Sequence, residues 1–387
     1  MHILMIAPEP FFEPRGTPFS EFHRIRALTS LGHTVDLVTY PLGSDVELPG
    51  LRIVRCLKPP FISRVRIGPS WAKVPLDALL AITAFRLALT RRYDAIHSHE
   101  EGGAIGIVLA ALLRKPHLYD MHSSLPQQIE NFGYGRAKGL AALFGGIERL
   151  MIRRSKVVIV ICEDLEDTVK GLNLPVPTIL IENAAGSGAT PSTGSGLAVR
   201  QALGLDDPTP LLLYTGTFEA YQGLDLLFDA MKLVIAARPD ARLVMVGGEP
   251  AQVEEAKAAV EHLGLSASVT FTGQRPADEV PAYLDAATTL VSPRSSGTNT
   301  PLKIYQYLRS GRPIVATRLR THTQVLNDEV AILTPATPEG LAAGLLKAIS
   351  DPGASEIGDR ARVLAETKYT DEAFVEKTRH AYEVLVQ

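Results

Sequence analysis

The chain has 387 residues, of which 46% are hydrophobic and 21% charged, with a formal net charge of −3. This length and apolar content are enough for two hydrophobic cores, and the slightly acidic balance gives no global attraction to nucleic acid. The two cysteines, Cys56 and Cys162, fit no metal-ligand spacing and read as buried thiols in a reducing, cytoplasmic compartment.

The opening residues, Met1-His-Ile-Leu-Met-Ile-Ala-Pro8, lack the cationic start and the apolar length of a signal peptide, so no leader is expected. No apolar run reaches the roughly 18 residues of a membrane span. His2–Ala7 instead reads as a buried parallel strand. A proline-rich loop follows, from Pro8 to Pro18, and then a helical pattern from Ser20 to Leu31 with Phe22, Ile25, Leu28 and Leu31 apolar and Gly32 as its stop. Val35–Tyr40 is the second strand. In such a unit, ligands bind at the carboxyl ends of the strands.

Residues 51–92 differ in character. They hold nine cations (Arg52, Arg55, Lys58, Arg64, Arg66, Lys73, Arg86, Arg91 and Arg92) against the single acid Asp77. Phe61, Ile67, Trp71 and a helical stretch around Leu76–Leu89 are interleaved with them. Such a segment suits an anionic membrane surface, and a solvated face on a core-packing helix is the competing reading.

Tyr93–His99 reads as a strand ending in His97, His99, Glu100 and Glu101. A helix over Ile105–Leu113 leads to a further strand from Pro116, which ends in Asp120 and His122. Two strand tips carrying histidine and carboxylate at one sheet edge point to a site. A metal is not expected there, because no helical His-x-x-x-His or cysteine partner accompanies them. Leu140–Arg154 reads as an amphipathic helix, and Val157–Ile161 and Thr178–Glu182 as strands. Asn183–Gly196 is small, polar and glycine-rich, and reads as a linker.

Strands and helices alternate again after it. The strands fall at Leu211–Thr215, Arg242–Val246, Val269–Phe271, Thr289–Val291, Ile314–Ala316 and Ala331–Leu333. Helices are predicted at Leu224–Arg238, Gln252–Leu263, Val280–Ala287, Leu302–Arg309 and Gln324–Asn327, with Leu341–Gln387 helical to the end. The pattern predicts an α/β protein of two doubly wound parallel-sheet domains facing across a cleft. Loops with glycine leave the second sheet at Gly216-Thr217 through Gln222-Gly223, at Gly247-Gly248, at Gly273-Gln274, and between Ser292 and Pro301. Four such turns on one edge suit a nucleotide-sized ligand. Arg294 and Lys303 flank the last of them, as expected of an anion loop that feeds a helix N-terminus.

Several pieces in this order carry a resemblance: Arg15-Gly-Thr-Pro18, Leu31-Gly-His-Thr-Val-Asp-Leu-Val-Thr39, Tyr93–Glu100, Tyr214-Thr-Gly-Thr-Phe218, Tyr221-Gln-Gly-Leu-Asp-Leu-Leu227, Val269-Thr-Phe-Thr-Gly273 and Pro301–Ala316. The chain resembles the retaining glycosyltransferases of family 4, which have the GT-B fold of two Rossmann-like domains. The resemblance implies an acceptor-binding domain at 1–182, a nucleotide-sugar-binding domain at 183–370 and a C-terminal helix at 371–387 returning to the first. It implies a UDP-, GDP- or ADP-sugar donor, no cofactor, no metal, and a glycan or lipid-linked acceptor. With the basic segment, it implies a peripheral contact with the inner face of the plasma membrane. Arg15, Gly16 and Thr17 correspond to the diphosphate loop, and His122, with Asp120 and His99 beside it, to the histidine near the sugar.

The chain also departs from the family. The usual phosphate-binding Arg and Lys are Thr217 and Gln222 here, and the usual pair of glutamates are Thr298 and Gln306. Thr298, Asn299 and Thr300 remain to meet a sugar and Gln306 to meet the ribose, while Arg294 and Lys303 become the expected source of charge for the departing diphosphate. Two other readings compete. One is a nucleotide-sugar-binding protein of little activity; the other is an epimerase or phosphorylase of the same fold.

Overall fold

The computed structural model describes residues 1–12, 16–63, 65, 73–127, 138–185, 195–206 and 208–387. Arg15, Arg64, Arg66, Ile67, Trp71 and most of the expected linker lie outside these residues. The chain forms two compact units. One comprises Met1–Asn183 with Glu372–Gln387, and the other Ala184–Asp371.

The first unit holds seven parallel strands: β1 (His2–Ala7), β2 (Thr34–Thr39), β3 (Leu51–Arg55), β4 (Ala95–His99), β5 (His117–Met121), β6 (Val157–Val160) and β7 (Thr178–Leu180). Their spatial order is β3-β2-β1-β4-β5-β6-β7. The second holds β8 (Leu211–Gly216), β9 (Arg242–Gly247), β10 (Val269–Gly273), β11 (Thr289–Ser292), β12 (Ile314–Thr317) and β13 (Ile332–Thr334), ordered β10-β9-β8-β11-β12-β13. In each sheet the order reverses beside the first strand, between β1 and β4 and between β8 and β11. At such a reversal the flanking loops splay to opposite faces and leave a crevice at the carboxyl edge.

The strands read as continuous apolar runs because both faces of each sheet are covered. In β8, Leu212 and Tyr214 pack into one core with Leu227, Phe228 and Leu345. Leu211 and Leu213 pack into the other with Ile304, Leu308 and Ala361. The period-2 alternation of a strand thus feeds two cores from one sheet.

Besides the 3-10 turn Ala220–Gln222, three elements were not read from the sequence: strand β3 and the helices Glu163–Gly171 and Ser195–Ala202. β3 lies at the sheet edge, where Arg52 makes a bidentate bond to Asp36 of β2 at 2.9 and 2.6 Å. Edge strands tolerate charge, so its apolar signal is weak. The helix expected at Gln324–Asn327 is a correction. The helical turn is Arg320–Thr323, and Gln324 is its C-cap. Val325 and Leu326, which suggested the helix, are core residues beyond it.

Candidate active site

The second unit brings two loops together around its strand-order reversal. The loop after β8 turns at Gly216, which has φ +139°, and closes on the 3-10 turn Ala220–Gln222. Gly223, at φ +73°, packs so closely on the loop after β11 that a Cβ there would overlap the Pro293 carbonyl. The amide of Ser295 donates to the Tyr221 carbonyl at 3.2 Å and ties the two loops together.

Both flanking cations point into this junction. Lys303, the first residue of the helix Lys303–Ser310, is 8% exposed. Its ammonium lies 3.8 Å from the centroid of the Tyr214 ring and 3.4 Å from Gln222 Oε1. Burial, with Arg294 nearby, pushes its pKa well below the usual lysine value. Arg294 donates to the Asn299 carbonyl at 2.8 Å and to Thr321 Oγ1 at 3.0 Å, and lies 5.1 Å from the centroid of Tyr221. Its Nε is buried without a hydrogen bond, and burial lowers its pKa too. Among the described residues, neither cation has a carboxylate partner. The buried hydroxyl of Thr300 is also without a partner.

The scaffold around this loop is polar and buried. Thr317 Oγ1 donates to the Arg294 carbonyl at 2.7 Å, and Gln324 Nε2 to the Thr298 carbonyl at 2.7 Å. His322 bridges Ser292 Oγ at 2.8 Å and the Thr317 carbonyl at 2.8 Å, and burial drops its pKa to about 3, so it is neutral. Tyr307 Oη takes the Thr215 amide at 2.9 Å and docks the Lys303 helix on β8. Tyr214, Tyr221, Thr321 and His322 were not read as site residues, because aromatics and Ser/Thr in such stretches look like ordinary packing.

Of the residues expected here, Gly216, Thr217, Gln222, Arg294, Thr298, Asn299, Thr300 and Lys303 come together. Thr217 Oγ1 accepts from Gln222 Nε2 at 3.3 Å. Gln306 lies on the same helix as Lys303, on its exposed side. Gly273 ends β10 and Gln274 follows it; β9 separates β10 from β8, and Gln274 is exposed there.

In the first unit the edge residues also converge. The register sets His99 beside Asp120. Asp120 Oδ2 accepts from Arg24 Nε at 3.0 Å and lies 3.4 Å from His97 Nε2, while Asp120 Oδ1 is 3.3 Å from His122 Nε2. His122 Nε2 is in turn 3.1 Å from His99 Nδ1. Burial opposes the Asp120 charge, but Arg24 and His122 outweigh it and hold the carboxyl well below its usual range. Burial likewise opposes a charged His122, yet Asp120 keeps its pKa raised. Burial wins at His97 and His99, whose values fall. His97, His99 and Asp120 have the proximity of a metal triad. Arg24, however, already occupies the carboxylate oxygen that lies nearest both histidines, and a second cation there would meet a guanidinium.

Glu21 and Arg24 were not singled out from the sequence. Both sit on the buried face of the helix Gly16–Ser30 with Ile25 and Leu28. Charges at core-facing helical positions were the available signal. Gly16 and Thr17 begin that helix.

The model of the family described as "Glycosyl transferase 4-like domain" matches residues 23–184, and that of "Glycosyl transferases group 1" matches residues 209–351. The chain belongs to the group 1 glycosyltransferases. Its similarity to a D-inositol 3-phosphate glycosyltransferase of Corynebacterium jeikeium is 24% identity over 72% of this chain and 69% of the relative. A phosphatidyl-myo-inositol mannosyltransferase of Mycobacterium tuberculosis is 23% identical over 89% of this chain and 85% of its own length. The sucrose-phosphate synthase of Thermosynechococcus elongatus superposes with a TM-score of 0.80 at 21% identity, covering 100% of this chain and 99% of that one. This glycosyltransferase thus has the GT-B architecture of two parallel-sheet α/β units.

Proposed function

We propose that this glycosyltransferase moves a sugar from a nucleotide-diphospho-sugar to an acceptor hydroxyl, with retention of configuration. The observation that carries the donor assignment is the buried Lys303 with the partly buried Arg294 near it, neither with a carboxylate partner among the described residues, at the crevice of the second sheet. A buried charge without a counter-ion is costly, and an arriving diphosphate supplies that counter-ion. The site is therefore most complementary to the charge that grows on the leaving group as the C1–O(phosphate) bond breaks. The bond from C1 to the acceptor oxygen forms, and the acceptor proton passes to the departing diphosphate. Thr217 and Gln222, neutral where the family carries cations, leave that charge to Lys303. Retention is the stereochemistry of the family 4 enzymes that the chain resembles.

The test is nucleotide release from UDP-, GDP- and ADP-sugars, with the anomeric configuration of the product read by proton NMR. Lys303→Met should lower turnover at least about 100-fold, as expected when one preorganised oxyanion donor is lost. Unchanged turnover would remove Lys303 from the mechanism. Tight binding without release would favour a binding protein.

The acceptor is proposed to be lipid-linked, with the first unit touching an anionic membrane. The helix Lys73–Thr90 supports this reading. It buries Leu76, Leu80, Ala84 and Ala88 on one side. On the opposite side Val74, Ile82 and Leu89 are exposed, as are Leu57 and Phe61 nearby in sequence, with Lys58 and Arg86 among them. Arg52, Arg55 and Lys73 do not contribute free charge, since each is paired, with Asp36, Asp45 and Glu101 respectively. No helix of the described residues is long and apolar enough to cross a membrane.

A further inference from the structure

The last helix, Asp371–Val386, belongs to the first unit. Its buried face is Phe374, Thr378, Ala381, Tyr382 and Leu385. Two of these carry hydroxyls, and both hydroxyls reach the network around Asp120. Thr378 Oγ1 donates to the Phe374 carbonyl at 2.8 Å and accepts from an Arg24 terminal nitrogen at 2.7 Å. The Phe374 ring lies 4.7 Å under the same guanidinium. Arg24 is therefore held on two sides, and its Nε is aimed at Asp120 Oδ2. On the second route, Tyr382 Oη meets His97 Nδ1 at 2.7 Å. Asp120 is ionised and only accepts, and its charge 3.4 Å from His97 Nε2 favours the tautomer with the proton on that nitrogen. His97 Nδ1 is then the acceptor and Tyr382 the donor. Glu21 from the first helix, His33 stacked on Tyr382, His99 from β4, His117 and Tyr119 from β5, and Glu9 and Glu100 from the neighbouring loops also lie around this network.

We propose that Thr378 and Tyr382 are positioning residues for sugar transfer, holding Asp120 through Arg24 and His97 and so fixing the orientation of His122. Neither touches substrate. The inference rests on the reading that the His122 edge serves transfer. The geometric argument is that Asp120 has two oxygens: Oδ1 makes an ion-pair contact with His122 Nε2 at 3.3 Å, and Oδ2 accepts from Arg24 with His97 Nε2 3.4 Å away. Loosening either support lets the carboxylate rotate, and His122 moves with it. Small misplacements of a reacting group cost large factors in rate.

The test uses the full-length chain with UDP-glucose, GDP-mannose and ADP-glucose, together with nitrogen-15 NMR of selectively labelled histidines. Tyr382→Phe is expected to move the nitrogen-15 shift of His97 Nδ1, which loses its hydrogen-bond donor, while Asp120 keeps the proton on Nε2. It is also expected to lower kcat roughly tenfold or more, while the donor KM stays within about twofold. Thr378→Val should show the same kcat-against-KM split, and Thr378→Ser, which keeps the hydroxyl, should restore it. An unchanged His97 Nδ1 shift in folded Tyr382→Phe, or unchanged kcat in either variant, overturns the proposal. Should Thr378→Val fail to fold, the Tyr382→Phe and Thr378→Ser proteins decide it. A wild-type chain that releases nucleotide from none of the three donors counts against those donors, and the NMR readout still decides the network.

Discussion

At the scale of single residues, the two units treat buried charge in opposite ways. In the second, Lys303 is buried with an amide and an aromatic ring for company, and its pKa is depressed. The folded chain therefore binds this proton less tightly than the unfolded chain does, and the site opposes folding at neutral pH. Lys303→Met should accordingly melt at a higher temperature than the wild type in the absence of ligand, even as it loses turnover. A lower melting temperature would mean that the ammonium stabilises the fold. In the first unit, Glu100 is a partly buried carboxyl whose pKa is pushed up to about 8, by desolvation above all. Here the folded state holds the proton more tightly. Its contribution to stability is complete below the ordinary glutamate value near 4.5 and declines as the pH rises toward about 8. Glu100→Gln should flatten the unfolding midpoint between pH 5 and pH 8, measured in urea as the difference from wild type, by an amount on the order of a few kcal/mol. An identical pH slope in the two proteins would remove Glu100 as its source.

At the scale of elements, the helix Lys73–Thr90 poses a problem of pattern. A helix apolar on both sides belongs in a core or against lipid, and here only one side faces a core. Ile82→Glu with Leu89→Glu should reduce co-sedimentation with vesicles containing anionic lipid, at little cost to the melting temperature, since both side chains are exposed. Undiminished sedimentation would exclude this face as the contact. The same helix shows how legible the sequence is. The alternation of apolar strands with 3.6-period helices revealed the doubly wound architecture, because parallel strands covered on both faces leave nearly continuous apolar runs. β3 escaped because an edge strand needs no such run, and its Arg52 and Arg55 looked like a free charge cluster until their carboxylate partners were in place. The loop from Arg294 to Lys303 was legible from its two cations and the helix that follows. The clamp of Thr321 and His322 on that loop was not, because hydrogen bonds between distant short polar residues leave no periodic trace. Glu21 and Arg24 were hidden for a related reason. They break the rule that core-facing helical positions are apolar, and only the network explains why.

At the scale of the whole molecule, the chain builds most of one unit, crosses at Asn183, builds the other, and returns to the first at Glu372. The core of the first unit is therefore completed by residues that follow the second unit in sequence. Closing it depends on a contact as distant in sequence as Arg24 to Thr378. Such long-range closure is entropically expensive and late in folding. The second unit is continuous in sequence and has cores of its own, with none of the last helix in them. Phe374→Ala removes a buried ring that also backs the Arg24 guanidinium. It should cost the first unit about 3–5 kcal/mol, as large-to-small core changes do. Hydrogen exchange followed by mass spectrometry resolves the two units by peptide. The expected result is lost protection in β1, β4, β5 and the Gly16–Ser30 helix, with the peptides of β8, β11 and the Lys303–Ser310 helix unchanged. Leu345→Ala, in the second unit's core, should produce the reverse. Equal loss across both units in either variant would show that they unfold as one cooperative body.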